Sequence, residues 1–403
     1  MIRKLLSRIL PFNTKRTIYN MGYNLVQWCY LPFLFLLNKK SSDNDTVTLL
    51  RFDAVGDFII WLGTAKEVRA MYPDNKICLV CANQVVELAS QTGYFDVIVP
   101  VKINIFAVSL MFDTYKKLAK IRSKIVFQFI YKRDIGHEFV AACIPAGHKI
   151  TIANGSEYPK MPALLKRLTN KIYDLIAPVP ERFAHEIQMS AAVLRLAGHN
   201  FTTKSYSLPP LSVDKRAIPD VRYFVVAPGA KLSDRCWSTD NFARIIEKLG
   251  SRLNITCCIC GTEDESVLAK EILMSCDKRV RIKNLTGQTT LLQLVEIIRA
   301  AEFIICNDTG QVHIAVAVST PSLCIYGPWE TGVFLPYHAD DLSETKQPLL
   351  CCKDMPCAFC DSNFTKECLD CIKTCGKRLC INNVTVRDVQ KKVDQLIAEN
   401  GIV

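Results

Sequence analysis

Nowhere in the 403 residues does a G-x-G-x-x-G fingerprint follow an apolar run. Its absence takes most of the support from nicotinamide and flavin chemistry, which needs those glycines to bring backbone up to a pyrophosphate. Acidic residues are absent from residues 1–40, which hold Arg3, Lys4, Arg8, Lys15, Arg16, Lys39 and Lys40. Of the net charge of +11, the rest of the chain, with 43 basic against 39 acidic residues, supplies only +4. A basic-faced nucleic-acid binder is therefore disfavoured, since the excess charge belongs to one end. No sequence repeat is visible, and hydrophobic residues at 49% with charged residues at 22% rule out disorder, collagen-like repeats and coiled coil as the main architecture. After Leu34-Phe35-Leu36-Leu37 comes Asn38-Lys39-Lys40 rather than a small-residue cleavage site, which argues against a removed export signal.

What is present suggests two domains by length alone. The uncharged stretch Thr17–Asn38 has 22 residues, enough at about 1.5 Å each to cross a bilayer core of about 30 Å. Against a span stand Asn20, Asn24 and Gln27 on one helical face, the breaks at Gly22 and Pro32, and the interfacial aromatics Tyr19, Tyr23, Trp28 and Tyr30. The expectation is an interfacial helix and apolar hairpin on an anionic leaflet, with the Lys and Arg residues on lipid headgroups. A helix packed on the protein's own core is the alternative. Eleven of the 19 cysteines are scattered, several within apolar runs such as Cys257-Cys258-Ile259-Cys260, as in a reducing compartment.

From Thr46 onward, short β-branched or apolar runs alternate with longer helical patterns. Strands are predicted at 46–52, 76–82, 96–101, 124–131 and 148–153, with helices at 57–71, 83–91, 108–121 and 134–143. Residues 154–182 lose this rhythm, Glu186–Leu196 reads as a helix, and Ser207-Leu208-Pro209-Pro210-Leu211-Ser212 reads as a linker. A second series follows, with strands at 222–227, 254–260, 280–284, 302–306 and 321–326 and helices at 239–250, 263–276, 290–301 and 310–318. Residues 384–399 form a capped amphipathic helix. The pattern is α/β, two mainly parallel sheets in tandem, with a cleft between two lobes.

In such sheets ligands bind beyond the carboxyl ends of the strands. At Leu49–Asp57, Gly56 permits close backbone approach and Asp57 falls at a helix start facing the cleft; a plain N-cap is the bland alternative. At Phe303–His313, Asn307-Asp308-Thr309-Gly310 feeds a helix whose free N–H groups and dipole suit a diphosphate. His313, one turn in, is placed to donate to a phosphate or ribose oxygen, or is simply a satisfied histidine. At Ala227–Trp237, Lys231 and Arg235 suit a leaving phosphate, and Gly261-Thr262-Glu263-Asp264-Glu265 puts carboxylates where a ribose diol can be held.

Three blocks then carry a family resemblance: Arg51–Pro73, with Gly56-Asp57; Ala227–Leu249, with Pro-Gly-Ala and Trp237; and Asn284–Pro328, with Asn284-Leu285-Thr286-Gly287, Asn307-Asp308-Thr309-Gly310, His313 and Tyr326-Gly327-Pro328. Together they resemble glycosyltransferase family 9, the ADP-heptose:lipopolysaccharide heptosyltransferases. The resemblance implies a GT-B fold, two Rossmann-like doubly wound domains facing a cleft, with the nucleotide-sugar in the C-terminal lobe and the acceptor in the N-terminal lobe. It implies Asp57 as general base, Thr309, Gly310 and His313 on the diphosphate, Asp308 on the sugar, and Arg235 with Lys231 as donor-binding cations. Glu263 and Gly287 fall to the donor ribose or base, and Arg51 and Gly56 to the acceptor side. Ala230-Lys231-Leu232 departs from the family's hydroxyl-rich stretch, and the basic N-terminal extension is longer than the family generally carries.

The expected organisation is a membrane-associating segment at 1–44, an acceptor domain at 45–206, a donor domain at 207–345, a Cys-rich segment at 346–383 and a helix at 384–403. The expected reaction is inverting, metal-independent transfer of a heptose-like sugar from a nucleotide-diphosphate sugar to a lipid-linked or lipopolysaccharide core acceptor. It would occur at the inner face of the cytoplasmic membrane, without catalytic cofactor or nucleic acid. A sugar-nucleotide epimerase and a non-catalytic sugar-nucleotide-binding module are the alternatives. The remaining eight cysteines crowd into residues 351–380, where Cys357, Cys360, Cys368 and Cys371 have the spacing for a structural zinc. An iron–sulfur cluster, disulfides or unligated thiols are the other readings.

Overall fold

The computed structural model describes residues 12–42, 45–154, 161–180, 184–200, 207–328, 331–337, 346–353 and 378–402. Helix α1 (Phe12–Leu37) precedes β1 (Thr46–Arg51), α2 (Val55–Met71), β2 (Lys76–Ala82), α3 (Val86–Thr92), β3 (Val97–Val101), α4 (Val108–Leu118), β4 (Ser123–Gln128), α5 (Ile135–Cys143) and β5 (Ala146–Ile152). The chain continues through α6 (Ala163–Thr169), β6 (Leu175–Ala177) and α7 (Glu186–Leu196). The second series is β7 (Tyr223–Ala227), α8 (Thr239–Leu253), β8 (Thr256–Ile259), α9 (Ser266–Ser275), β9 (Ile282–Asn284), α10 (Leu291–Arg299), β10 (Ile304–Asn307), α11 (Gly310–Ala317), β11 (Ser322–Ile325) and β12 (Leu349–Cys351). It closes with α12 (Leu379–Asn382) and α13 (Val386–Asn400).

Two six-stranded parallel sheets result, ordered β3-β2-β1-β4-β5-β6 and β9-β8-β7-β10-β11-β12. Both are the doubly wound order, and each changes winding direction between its first and fourth strands. Central strands are buried from end to end because helices cover both faces: Val47, Leu49, Leu50 and Val225, Val226, Ala227 are sealed from solvent. The expected α/β two-lobe fold is therefore present. Within the stretch where the sequence rhythm fails lie α6 and the edge strand β6, and the edge strand β12 was likewise not foreseen. Both strands have three residues, too few to display an alternation.

The N-terminal expectation of a helix and hairpin is corrected. Residues 12–37 form one continuous helix that runs through Pro32. Proline removes a single N–H there, and tertiary contacts outweigh the loss. Leu34 is sealed in a cluster with Val126, Phe139 and Val140, and Tyr30 donates to Ile105 O at 3.1 Å. Lys149 Nζ donates to Asn38 Oδ1 at 2.7 Å, just beyond the helix. Among the described residues, no helix is long and apolar enough to cross a membrane.

Candidate active site

The winding switch of each sheet places two strand-to-helix junctions in the cleft. Beyond β1, Ala54 caps α2 and Asp57 occupies the first turn, its Oδ2 accepting from Ala54 N at 3.3 Å. Beyond β10, Thr309 caps α11, its Oγ1 accepting from Gln311 N at 3.2 Å. These two helix starts touch across the lobes. A Cβ on Gly56 would stand 3.0 Å from His313 Cδ2 and 3.1 Å from Gly310 Cα, and one on Gly310 would stand 3.2 Å from Gly56 N. Glycine at both positions is what permits the approach. Asp57 directly follows Gly56, so its helix turn is the one that meets the start of α11.

Beneath Asp57, Arg51 is fully buried. Its Nη1 donates to Glu186 Oε1 at 2.6 Å and to Phe129 O at 3.2 Å, and its Nη2 donates to Asp57 O at 3.0 Å. Nε lies 3.1 Å from Asp53 Oδ1 as an ion pair, though not aligned as a hydrogen bond. Two carboxylates, those of Glu186 and Asp53, thus pair with one guanidinium, and the charge of Asp57 also acts on it. Burial raises the pKa of Asp57, the charges of Asp53 and Glu186 raise it further, and Arg51 opposes them, leaving Asp57 at about 8. Burial likewise raises Asp53 and Glu186 against the pull of Arg51. Arg51, expected on the acceptor side, is corrected here: with no exposed side-chain surface it supports the carboxylates from below.

On the donor side Asn307 fixes the loop after β7. Its Nδ2 donates to Pro228 O at 2.6 Å and its Oδ1 accepts from Trp237 N at 3.1 Å. That loop carries Lys231, which is exposed and close enough across the cleft for its charge to favour ionised Asp53, and Arg235, which is partly buried. At the tips of β7, β8 and β9, Gly229 and Gly261 make room for the Glu265 carboxylate, and Gly287, at φ +70°, for that of Glu263. Glu263 and Gly287, both expected near the ribose or base, are thereby brought into contact. Asp308 is partly exposed at the β10 tip.

His313 is buried, and its Nδ1 pairs with Tyr337 OH at 2.8 Å. Burial, aided by His185, pushes its pKa down to about 3, so the ring is neutral. The His185 ring lies tilted against Tyr337, centres 4.8 Å apart, while its Nε2 donates to Phe334 O at 3.1 Å. One ring nitrogen of His313 is thus committed to Tyr337, whose ring in turn meets His185 of the other lobe. Sequence reasoning overlooked Asp53, Glu186, His185 and Tyr337. Asp53 shares the Asp57 junction and was within reach, whereas nothing local marks the others. Cys357, Cys360, Cys368 and Cys371 lie outside the described residues; among the described ones no cluster suits a metal ion.

Residues 205–359 match the sequence model of glycosyltransferase family 9 (heptosyltransferase). Lipopolysaccharide heptosyltransferase 3 of Escherichia coli K12 is 23% identical over 296 residues, covering 70% of this chain and 82% of that protein. The crystal structure of the family 9 glycosyltransferase from Veillonella parvula DSM 2008 superposes with a TM-score of 0.67 at 15% identity, over 90% of this chain and 99% of that one. E. coli heptosyltransferase WaaC with ADP gives 0.62 at 15% identity, over 87% and 99%. These structural likenesses establish the GT-B arrangement of the two lobes. The matched segment covers the β7-to-β12 sheet, and the family model, the relatives and the solved structures together support a heptosyltransferase-like glycosyltransferase of family 9.

Proposed function

We propose that the protein transfers heptose from ADP-heptose to the inner core of lipopolysaccharide, with inversion at the anomeric carbon. The observation carrying this reading is the contact of Gly56 with Gly310, which sets a carboxyl of raised pKa against a diphosphate-binding helix start. Asp57 takes the acceptor hydroxyl proton as that oxygen attacks. The diphosphate leaves from the opposite face, its growing charge met by the N–H groups of Thr309 and Gly310, by Arg235 and by Lys231. Asp308 holds the sugar, and Glu263 at Gly287 the ribose or base. With those cations and the helix dipole present, the reaction needs no divalent ion, and turnover should persist in EDTA. The solved relatives holding ADP and ADP-2-deoxy-2-fluoro heptose support the choice of donor.

Peripheral attachment to the inner leaflet belongs to the same reading. Met21, Leu25, Phe33 and Leu36 of α1 are exposed, as are Phe106, Val108 and Phe112, and Tyr23 and Phe106 lie 6.0 Å apart between ring centres. Lys39, Lys40, Lys116 and Lys117 are exposed in the adjoining segments. Apolar insertion with headgroup pairing suits an enzyme whose acceptor is lipid-anchored. A structural zinc on Cys357, Cys360, Cys368 and Cys371 completes the proposal. Metal analysis of the purified protein and of Cys357→Ser tests it, and no stoichiometric zinc in the parent protein sinks it.

The central experiment replaces Asp57 by Asn and follows heptose transfer together with ADP-heptose binding. Loss of about 10²- to 10⁴-fold in rate with donor binding retained is expected. Near-normal transfer by that variant would overturn the assignment.

A further inference from the structure

At the acceptor end of the cleft the N-terminal helix reaches functional ground. Tyr23, halfway along α1, donates its hydroxyl to Asp134 Oδ2 at 2.8 Å. Asp134 caps α5: its Oδ1 accepts from Gly136 N at 3.0 Å and lies 2.7 Å from His137 Nδ1. The imidazole then stacks on Phe52, ring centres 5.2 Å apart and 19° from parallel, at the tip of β1 directly before Asp53. Among the described residues its Nε2 has no hydrogen-bond partner, and it is not closed off from solvent, the side chain being 21% exposed. The geometry points to α1 as a working part of the acceptor site: Tyr23 fixes Asp134, Asp134 fixes His137, and His137 presents Nε2–H to a carboxylate or phosphate on the acceptor. This rests on the reading that the acceptor occupies the N-terminal lobe.

The charges around His137 favour that role. Burial works against its protonation, but Asp134 on its own helix and Asp53 from the β1 tip outweigh it, and the pKa is raised. Glu138, also on α5, adds less because it is held by Arg133 Nε at 2.9 Å and Tyr173 OH at 2.5 Å. From α1 the Tyr23 hydroxyl helps keep Asp134 ionised. A protonated ring donates Nδ1–H to Asp134, which leaves Nε2–H as a cationic donor with no hydrogen-bond partner among the described residues. When the proton is lost, Nδ1 can accept from Asp134 N at 3.1 Å, so the ring keeps its place while its charge disappears. An anion is the partner that senses that difference. Tyr23 is accordingly a positioning residue, acting through Asp134.

The test uses the full-length protein, ADP-heptose and heptose-deficient core lipopolysaccharide. In Tyr23→Phe, which keeps the ring packing, the NMR titration midpoint of His137 should fall by about half a unit and acceptor KM at pH 7 should rise about threefold or more, with kcat and ADP affinity unchanged. His137→Gln should raise acceptor KM about tenfold and flatten its pH dependence between about pH 6 and 8, and His137→Arg should recover part of the loss. If phosphatase treatment of the acceptor abolishes the effect of His137→Gln, the ligand is a phosphate; if the effect persists, it is a carboxylate. Unchanged acceptor KM in both Tyr23→Phe and His137→Gln overturns the inference, as does an equal loss of ADP affinity. Near-normal transfer by Asp57→Asn would instead count against the functional reading, leaving the His137 titration as a separate test of the Tyr23 contact.

Discussion

Asp57 shows how one side chain ties stability to function. An unfolded aspartate titrates near 3.8, whereas in the folded protein Asp57 holds its proton up to about 8. Between those values the folded state binds the extra proton, so this site's contribution to stability falls as pH rises through the window. In its proposed role as base the same carboxyl must be ionised. Wild-type kcat/KM should therefore rise about tenfold per pH unit below about pH 8 and level off above it. Asp57→Asn should lose transfer yet melt higher than the wild type at pH 8.5. A flat pH–rate profile from pH 6 to 9, or a lower melting temperature for the variant, would contradict this. Gly56→Ala places a methyl against the Gly310 backbone, which cannot swing aside. A cost of about 1–3 kcal/mol in denaturant titration is expected, with transfer impaired despite an intact Asp57.

Among the elements, α13 shows local sequence and structure in agreement. Thr385 Oγ1 accepts from Asp388 N at 3.2 Å while Asp388 Oδ2 accepts from Thr385 N at 2.8 Å, a capping box readable from spacing alone. Thr385→Ala should cost about 1 kcal/mol in thermal unfolding. The helix matters to the donor side because Trp237 Nε1 donates to Val384 O at 2.8 Å, tying the end of the chain to the Lys231 loop. Helix α1 shows the opposite case. Its inner face was hard to find because Tyr23, Gln27, Tyr30 and Leu34 mix polar and apolar types, and partners on α5 and the 103–107 loop decide which side turns inward. Its exposed face yields a test: Phe33→Ser with Leu36→Ser should weaken sedimentation with anionic vesicles and leave transfer to detergent-dispersed acceptor intact. Equal vesicle binding by the double variant would remove the membrane role of this face.

For the whole molecule, the lobes share one apolar core that includes Leu49 and Phe58 from the first and Val225 and Val312 from the second. At its margin Glu186 N donates to Val333 O at 2.9 Å, and Tyr337 stands between His185 and His313. Donor bound at α11 would be held against these same contacts. ADP at 100 times its Kd should stabilise the protein by about 2.7 kcal/mol, and UDP and GDP should do less. Tyr337→Phe removes the partner of His313 Nδ1 and should weaken ADP binding several-fold while leaving α2 and Asp57 in place. An ADP affinity unaffected by that change would separate His313 from the donor site.

Strand and helix periodicity determined the two doubly wound sheets, because buried parallel strands must be continuously apolar and their covering helices amphipathic. The residues at the β1 and β10 tips were legible for a related reason: a polar cluster closing an apolar strand has little to do except cap a helix or meet a ligand. Tertiary structure alone decided that Arg51 lies beneath the site, that Glu186 from α7 adds a third carboxyl to it, and that α1 docks through Tyr23 as one helix. Each depends on residues more than 100 positions apart meeting in space, or on a buried charge whose cost is set by its neighbours, and no local pattern encodes either.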